Sequence, residues 1–161
     1  MSIRPPATIA PARLPEDIEI VRALFSEYMA SLAIDLSFQD AEKELADLPG
    51  KYAPPRGGIL LARDAAANPL GCVALRPLGR SGECEMKRLY VRPEGRGQDL
   101  GRRLALAIIA HAKSANYALI RLDTLASMRA AQALYLSLGF HQTAPYYDNP
   151  LAGTLYLALD L

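Results

Sequence analysis

The chain has 161 residues, the length of one ordinary domain, enough to bury about two thirds of its unfolded surface in a single core. Hydrophobic residues at 51% and charged ones at 22% are ordinary globular usage, which excludes a disordered chain. Eighteen Lys and Arg against seventeen Asp and Glu leave a net charge of +1, so no overall basic field gathers nucleic acid and any anion site has to be local.

No stretch approaches the ~18 apolar residues of a membrane span, and Met1–Pro11 lacks a signal-peptide core. The expected setting is the cytoplasm, with no membrane partner. Cys72 and Cys84 lie in apolar runs without C-x-x-C spacing and are expected as buried, reduced thiols. His111 and His141 have no companion at ligand spacing, so no metal site is expected.

In chain order, Ala7–Arg13 reads as a short strand. Leu14-Pro15-Glu16-Asp17 then opens a helix whose apolar residues, Ile18, Val21, Leu24, Phe25, Tyr28 and Met29, recur at three-and-four spacing through Ser31. A weaker helix covers about Gln39–Leu48 and is ended by Pro49-Gly50. From Gly58 the pattern becomes extended: Ile59–Arg63, a turn at Ala67-Asn68-Pro69, Gly71–Arg76, a second turn at Gly79–Gly82, and a long strand Glu83–Val91 stopped by Pro93. These strands make a meander. A helix from near Gly97 to Asn116 and a strand Tyr117–Leu125 follow, a strand–helix–strand crossover between parallel strands. Met128–Leu138 is a further helix ended by Gly139, with Ser127 as its expected N-cap. Phe140 opens another strand, Tyr146–Pro150 is an irregular loop, and Thr154–Leu161 closes as a strand. The expected fold is α+β: a mixed sheet of six or seven strands with helices on both faces, in one domain.

The chemistry sits where the strand ending in Val91 turns through Arg96-Gly97-Gln98-Asp99-Leu100-Gly101 into a helix. A helix N-terminus presents unpaired N–H groups and a partial positive charge. Gly97 and Gly101 let backbone approach a bulky anion, and Arg96, Arg102 and Arg103 add cationic donors. A diphosphate fits. Gly101-Arg102-Arg103 is not the Gly-Lys-Ser/Thr ending of a Walker loop. Asp123 lies at roughly ribose-partner distance from Gly101, but the preceding meander is wrong for a doubly wound dinucleotide fold.

With these elements in place the chain resembles the GNAT superfamily of N-acetyltransferases along nearly its whole length. The carrying segments are Leu89–Leu104, set against the family's V-x-P-x-x-R-G-x-G-x-G/A, and Ala131–Phe140, set against N-x-x-A-x-x-L-Y-x-x-x-G-F. The resemblance implies a GNAT-like fold and acetyl-CoA as acyl donor, without a metal. It implies that the Leu89-Tyr90-Val91 strand end serves the pantetheine arm through the Leu89 and Val91 backbone. It also implies that Arg96, Gly97, Gln98, Asp99, Leu100 and Gly101, with the Arg102 amide, wrap the pyrophosphate. Asp99 replaces the family's middle glycine and Met128 its asparagine, which weakens the expected hold on the cofactor.

Acyl transfer to an amine needs a neutral nitrogen, a stabilised oxyanion and a proton for the departing thiolate. The resemblance places the oxyanion contact on the strand running to Val91 and the general acid at Tyr135. For the base, Glu85 comes first and Glu83 second, since alternation puts them on one strand face with Lys87 and Leu89. The competing reading makes Glu83, Glu85, Lys87 and Arg88 a solvated charged edge. His111 is expected to be structural. The acceptor, a small-molecule amine, could meet Phe38, Glu42, Glu44 and Tyr52, or Tyr146, Tyr147, Asp148 and Asn149. A CoA-binding regulatory module without catalysis is the alternative class, and the oligomeric state is left open, a homodimer included.

Overall fold

The computed structural model describes residues 4–32 and 40–161. Along the chain lie β1 (Thr8–Pro11), α1 (Ile18–Ser31), α2 (Ala41–Ala46), β2 (Gly58–Arg63), β3 (Pro69–Pro77), β4 (Glu83–Val91), α3 (Leu100–Ser114), β5 (Leu119–Thr124), α4 (Arg129–Ser137), β6 (His141–Thr143) and β7 (Leu155–Asp160). Short 3₁₀ turns at Gly50–Tyr52 and Pro93–Gly95 precede β2 and α3. The seven strands form one sheet in the order β1-β2-β3-β4-β5-β7-β6. Among the described residues only β4 and β5 pair in parallel. The α3 crossover makes that pairing reachable, since parallel neighbours need a long connection.

β2 and β3 read as almost continuous apolar runs because both of their faces are covered. Ile59, Leu61, Cys72 and Ala74 pack with Val21, Leu24 and Phe25 of α1 and with Tyr52. Leu60, Ala62, Val73 and Leu75 pack on the other face with Leu104, Ala105 and Ile108 of α3. Each such buried aliphatic side chain contributes about 1.5–3 kcal/mol of transfer free energy. Both cysteines are buried and free, and burial pushes the Cys84 thiol up to about 12. His111 is structural: a Cβ at Gly58 would lie 2.6 Å from its Nε2, and the same nitrogen sits 3.3 Å from the Gly57 carbonyl.

Three expectations change. α3 begins at Leu100 rather than near Gly97, because the glycine turn stays outside the helix. Met128, not Ser127, occupies the N-cap of α4, and no side chain caps that helix. Leu89 does not share the Glu85 face. A register shift between Cys72 and Ala74 marks a bulge in which Arg88 takes φ 59°, and this moves Leu89 and Val91 to the α3 side while Glu85 stays on the α1 side. Phe38 lies outside the described residues.

The entry to α1 is tied down by Asp17, only 3% exposed. Its carboxylate accepts from the Arg13 N–H at 2.7 Å and from the Arg63 guanidinium at 2.9 Å, linking α1 to the end of β2. Burial alone would raise the Asp17 carboxyl, but these donors hold it below its ordinary value. A carboxyl lowered in the folded state stabilises above its unfolded pKa and loses that contribution as pH falls through the folded one. Asp17→Asn is therefore expected to cost about 1–3 kcal/mol at neutral pH, with the gap to wild type closing below about pH 4. Urea denaturation across pH measures it.

Candidate active site

β4 and β5 are paired through Glu83↔Leu119, Cys84↔Ile120 and Glu85↔Arg121, and then part. A small cleft of about 50 Å³ opens where they diverge; its walls include Tyr28, Lys87, Arg88, Leu89, Asp123 and Tyr135. The bulge at Arg88 sits on the β4 side of this cleft, so backbone that would otherwise continue a ladder faces it.

The charged residues of β4 are not a solvated edge. Glu85 is 1% exposed, Arg88 5% and Lys87 8%. Arg76 donates to Glu85 at 2.7 Å, and the Tyr146 hydroxyl donates a short hydrogen bond to the other oxygen of the same carboxylate. Glu83 accepts from Arg121 at the rim. Burial pulls the Lys87 ammonium below its usual value, with nearby Glu85 opposing. Both candidate bases thus face the α1 side, each held by a cation.

A third carboxylate belongs to the site. Asp123 of β5 lines the cleft and accepts from the Tyr147 hydroxyl at 2.6 Å, while Asn149 donates to that hydroxyl at 3.0 Å. Tyr146, Tyr147 and Tyr156 pack edge to face at centroid distances of 5.3–5.9 Å, and the Arg121 guanidinium lies 5.8 Å over the Tyr146 ring. The loop after β6 is therefore clamped across the end of the β4/β5 gap. Asp148 of the same loop is exposed. Tyr135 is 7% exposed, and burial pushes its phenol up, so it holds its proton throughout the neutral range.

On the α2 side, Glu44 accepts from Arg88 at 2.8 and 3.1 Å and from Tyr52 at 2.7 Å. Burial alone would raise the Glu44 carboxyl, but these bonds hold it below its usual range. A cavity of about 310 Å³ lies beside it, with Lys43, Asp47, Lys51, Tyr52 and Arg76 in its wall. Glu42 is exposed.

The glycine turn has the shape expected for an anion cradle. The first bond of α3 runs from Arg103 N to the Asp99 carbonyl at 3.1 Å, so the N–H groups of Leu100, Gly101 and Arg102 precede it. A Cβ at Gly97 would meet nothing within 4 Å and one at Gly101 only Leu134 at 3.9 Å, so packing does not explain either glycine. Gly97 (φ 85°) and Asp99 (φ 58°) are both left-handed, which explains why a glycine suits position 99. Asp99 makes no side-chain cap and leans toward Arg102, with 3.7 Å between carboxylate and Nε. Arg96 and Gly97 are exposed and Gln98 is partly so. The Arg103 guanidinium is already engaged, donating to the Ala7 carbonyl at 2.6 Å. Arg102 donates to Ser137 at 3.0 Å.

Sequence reading overlooked Asp123 as a site residue, and the Arg88 bulge. No local pattern signals either, because both depend on which strands become neighbours. Among the described residues no group of His, Cys, Asp and Glu could hold a metal ion, and no helix is long and apolar enough to cross a membrane.

The seven-stranded mixed sheet, with one parallel pair that parts into a cleft, matches the fold of acyl-CoA N-acyltransferases. The acetyltransferase (GNAT) family pattern matches residues 20–140. An uncharacterized N-acetyltransferase of Schizosaccharomyces pombe is 44% identical over 154 residues, covering 96% of this chain and 94% of that protein. Among solved structures, a GNAT-family acetyltransferase of Staphylococcus aureus superposes with TM-score 0.77 at 20% identity, covering 96% and 98% of the two chains. A Salmonella typhimurium protein described as an acetyltransferase, solved with its cofactor acetyl-CoA, superposes with TM-score 0.69 at 19% identity, covering 97% and 94%. The chain belongs to the GNAT acetyltransferase family and is an acetyltransferase.

The Tyr146–Glu85 contact yields a direct test. Tyr146→Phe keeps the ring but removes the donor to a buried carboxylate, and is expected to cost about 1–2 kcal/mol in chemical denaturation.

Proposed function

We propose that this acetyltransferase transfers the acetyl group of acetyl-CoA to the primary amine of a small molecule or amino acid derivative, by direct attack with donor and acceptor bound together. The observation that carries the reading is the shared cleft: Asp123, Tyr135 and the Arg88 bulge all line the gap between β4 and β5. The strand leaving it, through Leu89, Tyr90 and Val91, runs straight to the glycine turn.

Bound acetyl-CoA supplies an acyl thioester activated toward amines. The N–H groups at the start of α3, with Arg96, Gly97, Gln98 and Asp99, receive its diphosphate. The Leu89 and Val91 backbone serves the pantetheine arm. Backbone at the bulge holds the negative charge that builds on the carbonyl oxygen. Tyr135 protonates the leaving sulfur from the cleft wall it shares with Asp123.

Asp123 is the base the geometry favours, since it lies in the cleft with Tyr135 and its second oxygen is not used by Tyr147. Glu85 and Glu83 remain within the same charge cluster, each engaged by an arginine. Tyr135→Phe and Asp123→Asn are each expected to lower kcat by about 10²-fold or more while acetyl-CoA affinity stays within about threefold. Glu85→Gln should lower kcat by no more than about tenfold. Thiol release with an amine panel and calorimetry with acetyl-CoA measure both quantities. Acetyl-CoA binding without thiol release from any amine or peptide would sink the reading.

The turn itself is tested by Asp99→Gly. Glycine adopts the left-handed backbone freely and removes a carboxylate from beside the proposed diphosphate. Acetyl-CoA is expected to bind about three- to tenfold more tightly to this variant, with the gain shrinking at high salt.

A further inference from the structure

We infer that Glu44 and Arg88 are a positioning pair: they hold the β4 bulge in its left-handed backbone and so keep the bulge's backbone groups turned into the cleft. The inference rests on the acyl-transfer reading above, in which those groups meet the carbonyl oxygen.

Arg88 is a non-glycine residue at φ 59°, 5% exposed, in the middle of a strand. A Cβ disfavours that conformation, so something else must favour it. The structure supplies the compensation from two directions. The Arg88 Nε and a terminal nitrogen donate to the two oxygens of the Glu44 carboxylate at 2.8 and 3.1 Å, a two-pronged charged pair with fixed geometry. The Arg88 carbonyl faces the Cys72 Sγ at 3.2 Å. Side chain and carbonyl are thus both pinned on the α1 and α2 side of the sheet. With those fixed, the planar peptide groups around residue 88 have one direction left to face.

Glu44 is itself immobilised by the Tyr52 hydroxyl at 2.7 Å. The carboxylate also forms part of the wall of the cavity beside α2. An acceptor lying in that cavity would sit one hydrogen bond away from the residue that shapes the bulge. The pair therefore links the packing of a short helix to the direction of backbone groups on another element.

Arg88→Gly separates this role from simple stabilisation, because glycine reaches a positive φ without help. The full-length chain is compared as wild type, Arg88→Ala, Arg88→Gly, Glu44→Ala, Glu44→Gln and Glu44→Ala with Arg88→Gly. Thiol release gives kcat and KM. Arg88→Ala and Glu44→Ala are expected to lower kcat about tenfold or more with the KM for acetyl-CoA changed less than about threefold. Glu44→Gln, which keeps an acceptor for Arg88 and the shape of the side chain, should lose only about threefold. Arg88→Gly should recover at least about threefold of the kcat lost in Arg88→Ala, and Glu44→Ala should cost nothing more in that background.

A purely stabilising pair predicts the opposite order. Glycine would then be worse than alanine, because it loosens the strand. Glu44→Ala would also cost the same in both backgrounds. Either result overturns the proposal. A crystal structure of Glu44→Ala reads the backbone directly: departure of residue 88 from the left-handed region supports the pair, and φ still near 59° overturns it. Should the wild type release no thiol with any amine, the acyl-transfer reading fails, while the backbone of residue 88 in Glu44→Ala still decides the positioning claim.

Discussion

Beyond the Glu85↔Arg121 pair, β4 and β5 no longer share hydrogen bonds, and the backbone edges they expose face each other across a cleft. Unpaired backbone inside a protein is costly unless water or a ligand completes it. The surrounding structure keeps this gap from closing. α1 covers one face of the sheet and α3 the other, so β4 is fixed by both layers. The bulge at Arg88 prevents the β4 edge from continuing in register. The loop carrying Tyr146 and Tyr147 anchors to carboxylates on both strands, Glu85 and Asp123, at the point of divergence.

Those anchors explain how so much charge is tolerated near the centre of the sheet. A buried carboxylate without donors would take up a proton or unfold the region around it. Here Glu85 has Arg76 and Tyr146, Glu44 has Arg88 and Tyr52, and Asp123 has Tyr147. Tyrosine suits the task because a phenol satisfies one lone pair without adding charge and brings its own apolar ring. The aromatic cluster around Tyr156 is thus both packing and hydrogen-bond supply. Asp123 differs from Glu85 in lining the cleft, and this difference is the ground for proposing it as the base.

The element order, the strand and helix cores and the glycine turn were legible in the sequence, because each is signalled by residues close together in the chain. Apolar spacing marked α1 and α3, and the strand–turn–helix context gave Gly97 and Gly101 their meaning. Register was not legible. Alternation places Leu89 with Glu85, and a single inserted residue at Arg88 reverses that assignment. Burial of charge was equally hidden, since the sequence leaves Glu83, Glu85, Lys87 and Arg88 open between a catalytic face and a solvated edge until α2 and the loop after β6 are laid over them. Asp123 became a site residue only when β5 was placed beside β4. The proposed diphosphate site lies in one contiguous segment of sequence, while the groups proposed to move protons come from elements brought together by topology.

The glycine turn then takes a narrower meaning. Its left-handed positions and the three amides ahead of the first α3 bond give the proposed anion site a shape set by backbone alone. Arginine charge around it is partly committed elsewhere, since Arg103 binds the Ala7 carbonyl and Arg102 reaches Ser137 and Asp99. In the proposed site, backbone more than side-chain charge is left to hold an anion. In that setting Asp99 is tolerable, because its carboxylate lies toward Arg102, which offsets part of its charge. On the proposed reading, a carboxylate beside the diphosphate therefore acts on the strength of the site, while Asp99 keeps the left-handed backbone that gives the turn its shape.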